Sequence, residues 1–220
     1  MTTINILNLE CFFCGTISEH QDVGSTNCFG SCDLDTRPAE MERSTICYWI
    51  QRCPQCGYCA KDISEGVSHN KSIIQSAEYQ KIVHKKSISK LASSFLAHSF
   101  EMKKVKDHSA AAWSAIHSAW VCDDRNSNAS AKSSRLEAIR MIKMIDKDSN
   151  GISDQAGASE GITIDLMRRA EQFDEALALA NKALSDDIEE MIKEVIRFEV
   201  QLIEKKDVSV HSASEAFDEI

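Results

Sequence analysis

The sequence CPQCGY at residues 53–58 and its earlier counterpart CFFCG at residues 11–15 decide how this chain is organised. In each segment a pair of cysteines is followed directly by glycine, whose tolerance of positive φ lets the backbone turn back toward the sulfurs. One CxxC pair is also typical of a redox dithiol, but two pairs supply the four thiolates of a tetrahedral structural zinc site. The spacing therefore predicts one Zn²⁺ bound by Cys11, Cys14, Cys53 and Cys56.

The composition is that of a globular protein rather than a disulfide scaffold. The chain has 220 residues, 43% of them hydrophobic, which is enough for a packed core. Its nine cysteines cannot all pair, and no basic and apolar leader opens the sequence, so metal binding explains the cysteines better. No stretch is long and apolar enough to cross a bilayer. We expect a cytoplasmic protein with no membrane segment.

The charge distribution disfavours broad contact with nucleic acid. The formal net charge is −9, whereas neutralising phosphates requires clustered lysine and arginine. Lysines are nevertheless concentrated in residues 81–106. Nucleic-acid binding through a zinc ribbon and this basic region is therefore kept as an alternative function.

The segment 1–70 contains most of the glycines, both prolines and most of the cysteines. Residues 3–9 and 45–51 are rich in β-branched and aromatic side chains, and each leads toward a CxxC pair, so we predict a strand in each. Two strands that deliver two such turns are typical of a zinc-ribbon-like domain. A domain of this size would take much of its folding free energy from zinc, on the order of 10 kcal/mol.

From residue 71 onward, apolar side chains recur at helical spacing and predict five or more helices joined by short turns. Residues 171–183 resemble the turn and second helix of a tetratricopeptide repeat, where small side chains let paired helices approach closely. The predicted fold class is α+β and mostly α. It consists of a zinc-ribbon-like β domain at residues 1–70 and tetratricopeptide-like antiparallel helix pairs at residues 71–220.

The two cysteine segments, the sequence GSCDLDTRP at residues 30–38 and the helical remainder together carry a resemblance. The chain is similar to a bacterial family of unassigned function that joins an N-terminal zinc-ribbon-like segment to tetratricopeptide-like helices. The resemblance implies zinc ligands at Cys11, Cys14, Cys53 and Cys56. It implies no substrate and no reaction.

Other segments also suggest metal sites, each with a simpler alternative. Cys28 and Cys32 are spaced for a second zinc or a ligand exchange, but neither precedes a glycine. We interpret Cys47, Cys59 and Cys122 as small buried side chains. Residues 146–154 begin like a calcium-binding EF-hand loop, but glycine occupies the twelfth position, where a bidentate glutamate is needed, so a polar helix connection is the alternative.

Asp33, Asp35, Arg37 and Arg43 crowd the insert between the two cysteine pairs. One interpretation is a loop whose charges pair with each other. The other is a surface held by zinc at both ends, on which Arg37 or Arg43 binds a carboxylate or phosphate of a partner.

No nucleophile motif, phosphate loop or dinucleotide fingerprint is present. We therefore predict a non-enzymatic, zinc-stabilised adaptor that binds a protein or peptide on its helical repeats. Nucleic-acid binding is the first alternative. An enzyme that uses Asp33, Asp35 and Arg37 is the second.

Overall fold

The computed structural model describes residues 1–146 and 151–217. Its strands are β1 (Thr3–Glu10), β2 (Ile17–Ser25), β3 (Gln51–Arg52) and β4 (Cys59–Ala60). Its helices are α1 (Lys71–Ile74), α2 (Ala77–Val83), α3 (Lys90–Lys104), α4 (His108–Asp123), α5 (Asn128–Ile142), α6 (Ala158–Arg169), α7 (Phe173–Ser185) and α8 (Glu190–Glu204). The predicted class, α+β and mostly α, is confirmed. Among these helices, none combines the length and hydropathy needed to cross a bilayer.

Two antiparallel hairpins carry the cysteine pairs. β1 pairs with β2 over its whole length, with Leu7 opposite His20 and Glu10 opposite Ile17. β3 and β4 form a second, very short antiparallel pair. Each CxxC segment is the turn of one hairpin, so the strand predicted at residues 3–9 and its role in delivering the first pair are confirmed.

The strand predicted at residues 45–51 is wrong over most of its length. A 3-10 helix occupies Arg43–Tyr48, and only Gln51–Arg52 is extended. Thr45 and Ile46 are buried on one side of this helix, and the Trp49 indole donates a hydrogen bond to the Thr45 hydroxyl over 2.8 Å. Burial and this contact one turn away favour a helical turn, although the residue types favour a strand.

Four helices end in the same way, which explains the short turns. A residue with positive φ follows each of them, and the next N–H donates to the carbonyl five residues back, as in a Schellman motif. These residues are Lys106, Asn126, Glu171 and Lys206, which follow α3, α4, α6 and α8. Because this motif reverses the chain within a few residues, α3 packs on α4, α4 on α5 and α6 on α7. Helix α7 also packs on α8, although its C-cap residue, Asp186, is extended.

The apolar core is continuous from the cysteine segments into the helices. Cys53, Tyr58 and Ile63 belong to the same cluster of buried side chains as Phe95 and Trp120. The boundary predicted at residue 70 therefore coincides with a change of secondary structure inside one core. Independent folding of the two parts stays a prediction.

The segment after α8 returns to the insert between the two hairpins. The Leu34 N–H donates to the His211 carbonyl over 3.0 Å, and the Ala213 N–H donates to the Cys32 carbonyl over 2.8 Å. Asp33 and Ser212 form an isolated antiparallel bridge between these two bonds. The insert is thus held between the helices and the C-terminal segment.

Candidate functional site

The four predicted zinc ligands meet at one place. The sulfurs of Cys11, Cys14, Cys53 and Cys56 all lie within 4.8 Å of one another. The Cys11 and Cys56 sulfurs are 3.7 Å apart, and those of Cys14 and Cys53 are 3.5 Å apart. Zn–S bonds of about 2.3 Å in a tetrahedron place sulfurs about 3.8 Å apart. The thiols are free and their spacing fits a four-coordinate metal ion, with each hairpin supplying two ligands.

The same backbone geometry presents both cysteine pairs. Gly15 and Gly57 have φ of 70° and 77°, in the left-handed region where glycine carries no Cβ penalty. The Gly15 N–H donates to the Cys11 carbonyl over 2.8 Å, and the Gly57 N–H donates to the Cys53 carbonyl over 3.1 Å. The glycine after each pair closes a tight turn that aims two thiols inward.

Without a cation, the thiols hold their protons unequally. Burial raises the pKa of Cys11 and Cys56 above the ordinary thiol value. Burial also acts to raise the pKa of Cys14, but hydrogen bonds with Thr16 and Cys53 outweigh it and lower this pKa to about 6. Because four adjacent thiolates repel each other, a divalent ion supplies the charge that lets all four ionise together.

The remaining cysteines lie elsewhere. Among the described residues, Cys28 and Cys32 do not belong to a cluster of three or more metal-ligand side chains. Cys59 and Cys122 are buried as predicted, but Cys47 is exposed. The calcium prediction at residues 146–154 includes residues 147–150, which lie outside the described part of the chain.

The insert between the hairpins contains charged side chains that are buried instead of presented to solvent. Asp35 is fully buried, accepting from the Trp120 indole over 2.7 Å and pairing with Arg169 at 3.3 Å. The Arg37 guanidinium donates to both carboxylate oxygens of Asp124, over 2.9 and 2.7 Å. These contacts anchor the insert to α4 and α6.

Of the four residues expected on a presented surface, Asp33, Asp35 and Arg37 are buried, and Arg43 is partly exposed. Asp33 and Arg37 are 6% and 5% exposed, and Arg43 donates to Asp33 over 2.5 Å and to the Pro38 carbonyl. Arg37 does bind a carboxylate, but it does so through one nitrogen, Nη2, and the acceptor, Asp124, lies within the same chain. The buried Asp33, Asp35 and Arg37 and the half-buried Arg43 hold the insert in place through these internal pairs. A role for them in partner binding or catalysis stays a prediction.

The buried charges continue deeper into the helical body. Arg169 and Arg135 both donate to Asp123, while Arg168 pairs with Asp165 at 2.5 Å and with Glu199 at 3.4 Å. Burial, aided by the Asp165 charge, raises the pKa of Glu199 well above its ordinary value. This network was not predicted from the sequence. Its one visible signal is the charged triplet Asp165, Arg168 and Arg169 within an otherwise apolar stretch of α6.

Comparison of the chain with protein-family models, curated proteins and solved structures finds no match. The resemblance to the bacterial zinc-ribbon family therefore stays a prediction. The four-cysteine cluster and the mostly helical fold are shown independently by the geometry.

Several cavities lie outside the cysteine cluster in the described part of the chain, and two of them contain charged side chains that bear on function. One, of about 840 Å³, opens onto the buried network at Asp123, Arg135 and Arg169, where the cations already have carboxylate partners. The other, of about 820 Å³, lies between β2, residues 47–54 and the start of α3. We call it the hairpin groove. Its arginines, Arg52 and Arg125, form no ion pair with any described residue, whereas both arginines of the first cavity are paired.

Proposed function

We propose that this chain is a zinc-stabilised adaptor that binds another protein. The observation that carries the proposal is the cluster of four cysteine sulfurs within 4.8 Å, supplied by two separate hairpins. Four protein thiolates fill the coordination sphere of zinc and leave no position for a reacting water or substrate. When bound, zinc supplies structural cross-linking. This role suits a scaffold better than a catalytic centre.

The packing of the helices also supports a protein-binding function. Sequential helices α3–α5 and α6–α8 pack as neighbours through short turns, the arrangement that makes extended binding surfaces in helical-repeat proteins. Tetratricopeptide-like pairing of α6 and α7, with the small side chains Ala176, Ala180 and Ala183 buried between neighbours, is part of this proposal. Localisation in the cytoplasm, where thiols stay reduced, is also part of it.

Nucleic-acid binding remains the second candidate because of one specific observation. Arg52, beside the second cysteine pair, and Lys90, in the basic region 81–106, line the same cavity. The second cysteine hairpin and the basic region thus contribute to one cavity, which supports this candidate.

A capture experiment separates the two functions. The full chain, loaded with zinc and tagged, is cross-linked in its native host and purified with and without nuclease. We expect the same partner proteins in both samples. Recovery that disappears with nuclease would favour nucleic-acid binding, and recovery no greater than that of a tag control would contradict the adaptor function.

A further inference from the structure

The hairpin groove borders a free strand edge. Residues 18–21 of β2, four in succession, line it. Since successive side chains of a strand point to opposite faces, four consecutive lining residues place the groove along the edge of β2. β1 occupies the other edge, and no backbone hydrogen bond joins residues 17–25 to a described segment other than β1. The groove therefore offers unpaired N–H and C=O groups to an added strand.

The groove also concentrates unpaired positive charge. Arg52, Lys90 and Arg125 line it, and none of them forms an ion pair with any residue in the described ranges. Every other arginine pairs with a carboxylate: Arg37, Arg43, Arg135, Arg140, Arg168, Arg169 and Arg197. Glu19 is the one carboxylate among the lining residues. In a chain of formal net charge −9, the unpaired arginines thus converge on one cavity.

We propose that the hairpin groove binds an extended acidic segment of a partner protein. The segment adds as a strand along the free edge of β2, so its main chain forms the hydrogen bonds that this edge lacks. Its alternate side chains face one way, which brings carboxylates to Arg52, Lys90 and Arg125. The inference rests on the adaptor function and names the chemistry of the partner.

A peptide fits this groove better than a nucleic acid does. The strand edge matches the repeat of peptide N–H and C=O groups, which a sugar–phosphate chain does not have. Three cations suffice for a few carboxylates, whereas the protein's net negative charge repels a long polyanion. The favoured occupant is therefore an acidic strand.

The test uses the full-length, zinc-loaded protein and fluorescent ten-residue peptide libraries. One library has Glu fixed at alternate positions and mixed β-branched residues between them, and the control library has Gln at the same positions. We expect anisotropy to show binding of the Glu library and at least about tenfold weaker binding of the Gln library. Arg52→Gln with Arg125→Gln should weaken Glu-library binding by about tenfold or more, with zinc content unchanged.

A matched double variant, Lys193→Gln with Arg197→Gln on α8, removes the same charge far along the chain and should bind normally. Strand addition is tested by N-methylating the backbone either at the Glu positions or between them. One set should abolish binding and the other should not, because alternate N–H groups face β2.

Equal binding of the Glu and Gln libraries, equal loss in both double variants, or tolerance of both methylated sets would overturn the proposal. So would binding of an oligothymidylate of equal charge in place of the peptides. If captured partners remain bound to the Arg52→Gln, Arg125→Gln protein, the adaptor function stands and the groove proposal fails. Absence of any nuclease-resistant partner contradicts the adaptor function itself.

Discussion

The first and second cysteine segments share one backbone geometry but have different surroundings. Both place a glycine of positive φ after the pair and close the turn with the same hydrogen bond. The first lies at the end of a long hairpin, where Cys14 and Gly15 are exposed. Around the second, Gly57 is buried, and its carbonyl accepts from the Tyr79 hydroxyl over 3.2 Å. The same motif thus lies at the exposed end of a hairpin in the first segment and inside the core in the second.

The difference implies that zinc matters unequally for the two segments. The second is held to α2 by packing of Gly57 on Val83 and by the Gln80 side chain, which donates to the Cys56 carbonyl over 3.0 Å. The first contacts the body through the Phe12 N–H, which donates to the Ile63 carbonyl, and through the Phe13 ring, which packs edge-to-face on Tyr58 with centroids 4.6 Å apart. A metal ion bound by the four cysteines would add a tether between this hairpin and the second segment, which the helices already hold.

The largest expected difference between the two segments follows from removing a metal ligand. Cys14→Ser deletes an exposed ligand and should abolish zinc binding, with loss of binding free energy on the order of 10 kcal/mol. We expect backbone amides of residues 3–25 to lose hydrogen-exchange protection while α3–α5 keep theirs. Elemental analysis and exchange mass spectrometry measure both.

Cys28→Ser is the matched control, because Cys28 is exposed and lies outside the cluster. It should keep one zinc per chain. Retention of zinc by Cys14→Ser, or its loss from Cys28→Ser, would show that the ligand set is different.

The insert that joins the two segments should depend on the helices instead of the metal. Asp35→Ala leaves the buried Trp120 indole without its acceptor and removes one of the carboxylate partners of Arg169, which keeps Asp123, so the free energy of unfolding should fall by about 3–5 kcal/mol. Zinc content should not change. Urea denaturation measures the loss, and Glu40→Ala, an exposed change in the same insert, should stay within about 0.5 kcal/mol of wild type. Similar values for both variants would contradict the anchoring role.

Alanine substitutions at Gly15 and Gly57 compare the surroundings of the two turns directly. An added Cβ at either position is strained by about 1–2 kcal/mol, but at Gly57 it would also lie 2.9 Å from a Val83 methyl, whereas at Gly15 the nearest atom is 3.6 Å away. Gly57→Ala should therefore cost about 1–3 kcal/mol more than Gly15→Ala. Thermal unfolding measures the difference. Adding Val83→Ala to Gly57→Ala should cost less than the sum of the single changes, and strict additivity would show that Val83 is not the obstacle.

The smallest expected effect is on the pH dependence of stability, and it comes from Glu101 on α3. The Asn70 side-chain amide, between the second cysteine segment and α1, donates to the Glu101 carboxylate over 3.0 Å. Burial raises the pKa of Glu101 to about 7, from 4.5. The folded state holds this proton more tightly than the unfolded chain, so the stabilisation is complete below pH 4.5 and is lost as the pH rises to about 7. Glu101→Gln should remove this loss and gain about 1–3 kcal/mol relative to wild type between pH 4.5 and 8. Urea denaturation at pH 4.5 and pH 8 measures the free energy of unfolding of both proteins. The same difference between variant and wild type at the two pH values would contradict the assignment.

The metal centre was predictable because its signal is local. Two CxxCG segments specify ligand type, ligand number and turn geometry within five residues each, and the four sulfurs meet as expected. The helices were also predictable from local sequence, because burying one face of a helix makes apolar residues recur every three to four positions.

The ionic network was not predictable because its partners are distant in sequence. Asp35 meets Trp120 and Arg169, which are 85 and 134 residues away, and Arg37 meets Asp124 across 87 residues. Nothing local distinguishes a charge that will be buried by such contacts from one that stays in solvent. The strand prediction at residues 45–51 failed for the same reason, because burial against α4 decides that segment and not its β propensity.

The return of residues 211–213 to the insert at residues 32–34 also affects how the protein emerges from the ribosome. The four candidate metal ligands have all been synthesised once residue 56 has left the exit tunnel, so a metal ion bound by them would close the loop between the two hairpins before α6 is made. The insert inside that loop must wait for Arg169 and then for residues 211–213, which supply its later backbone partners. The nascent chain would thus carry a metal-clamped but unfinished loop until synthesis has passed residue 213.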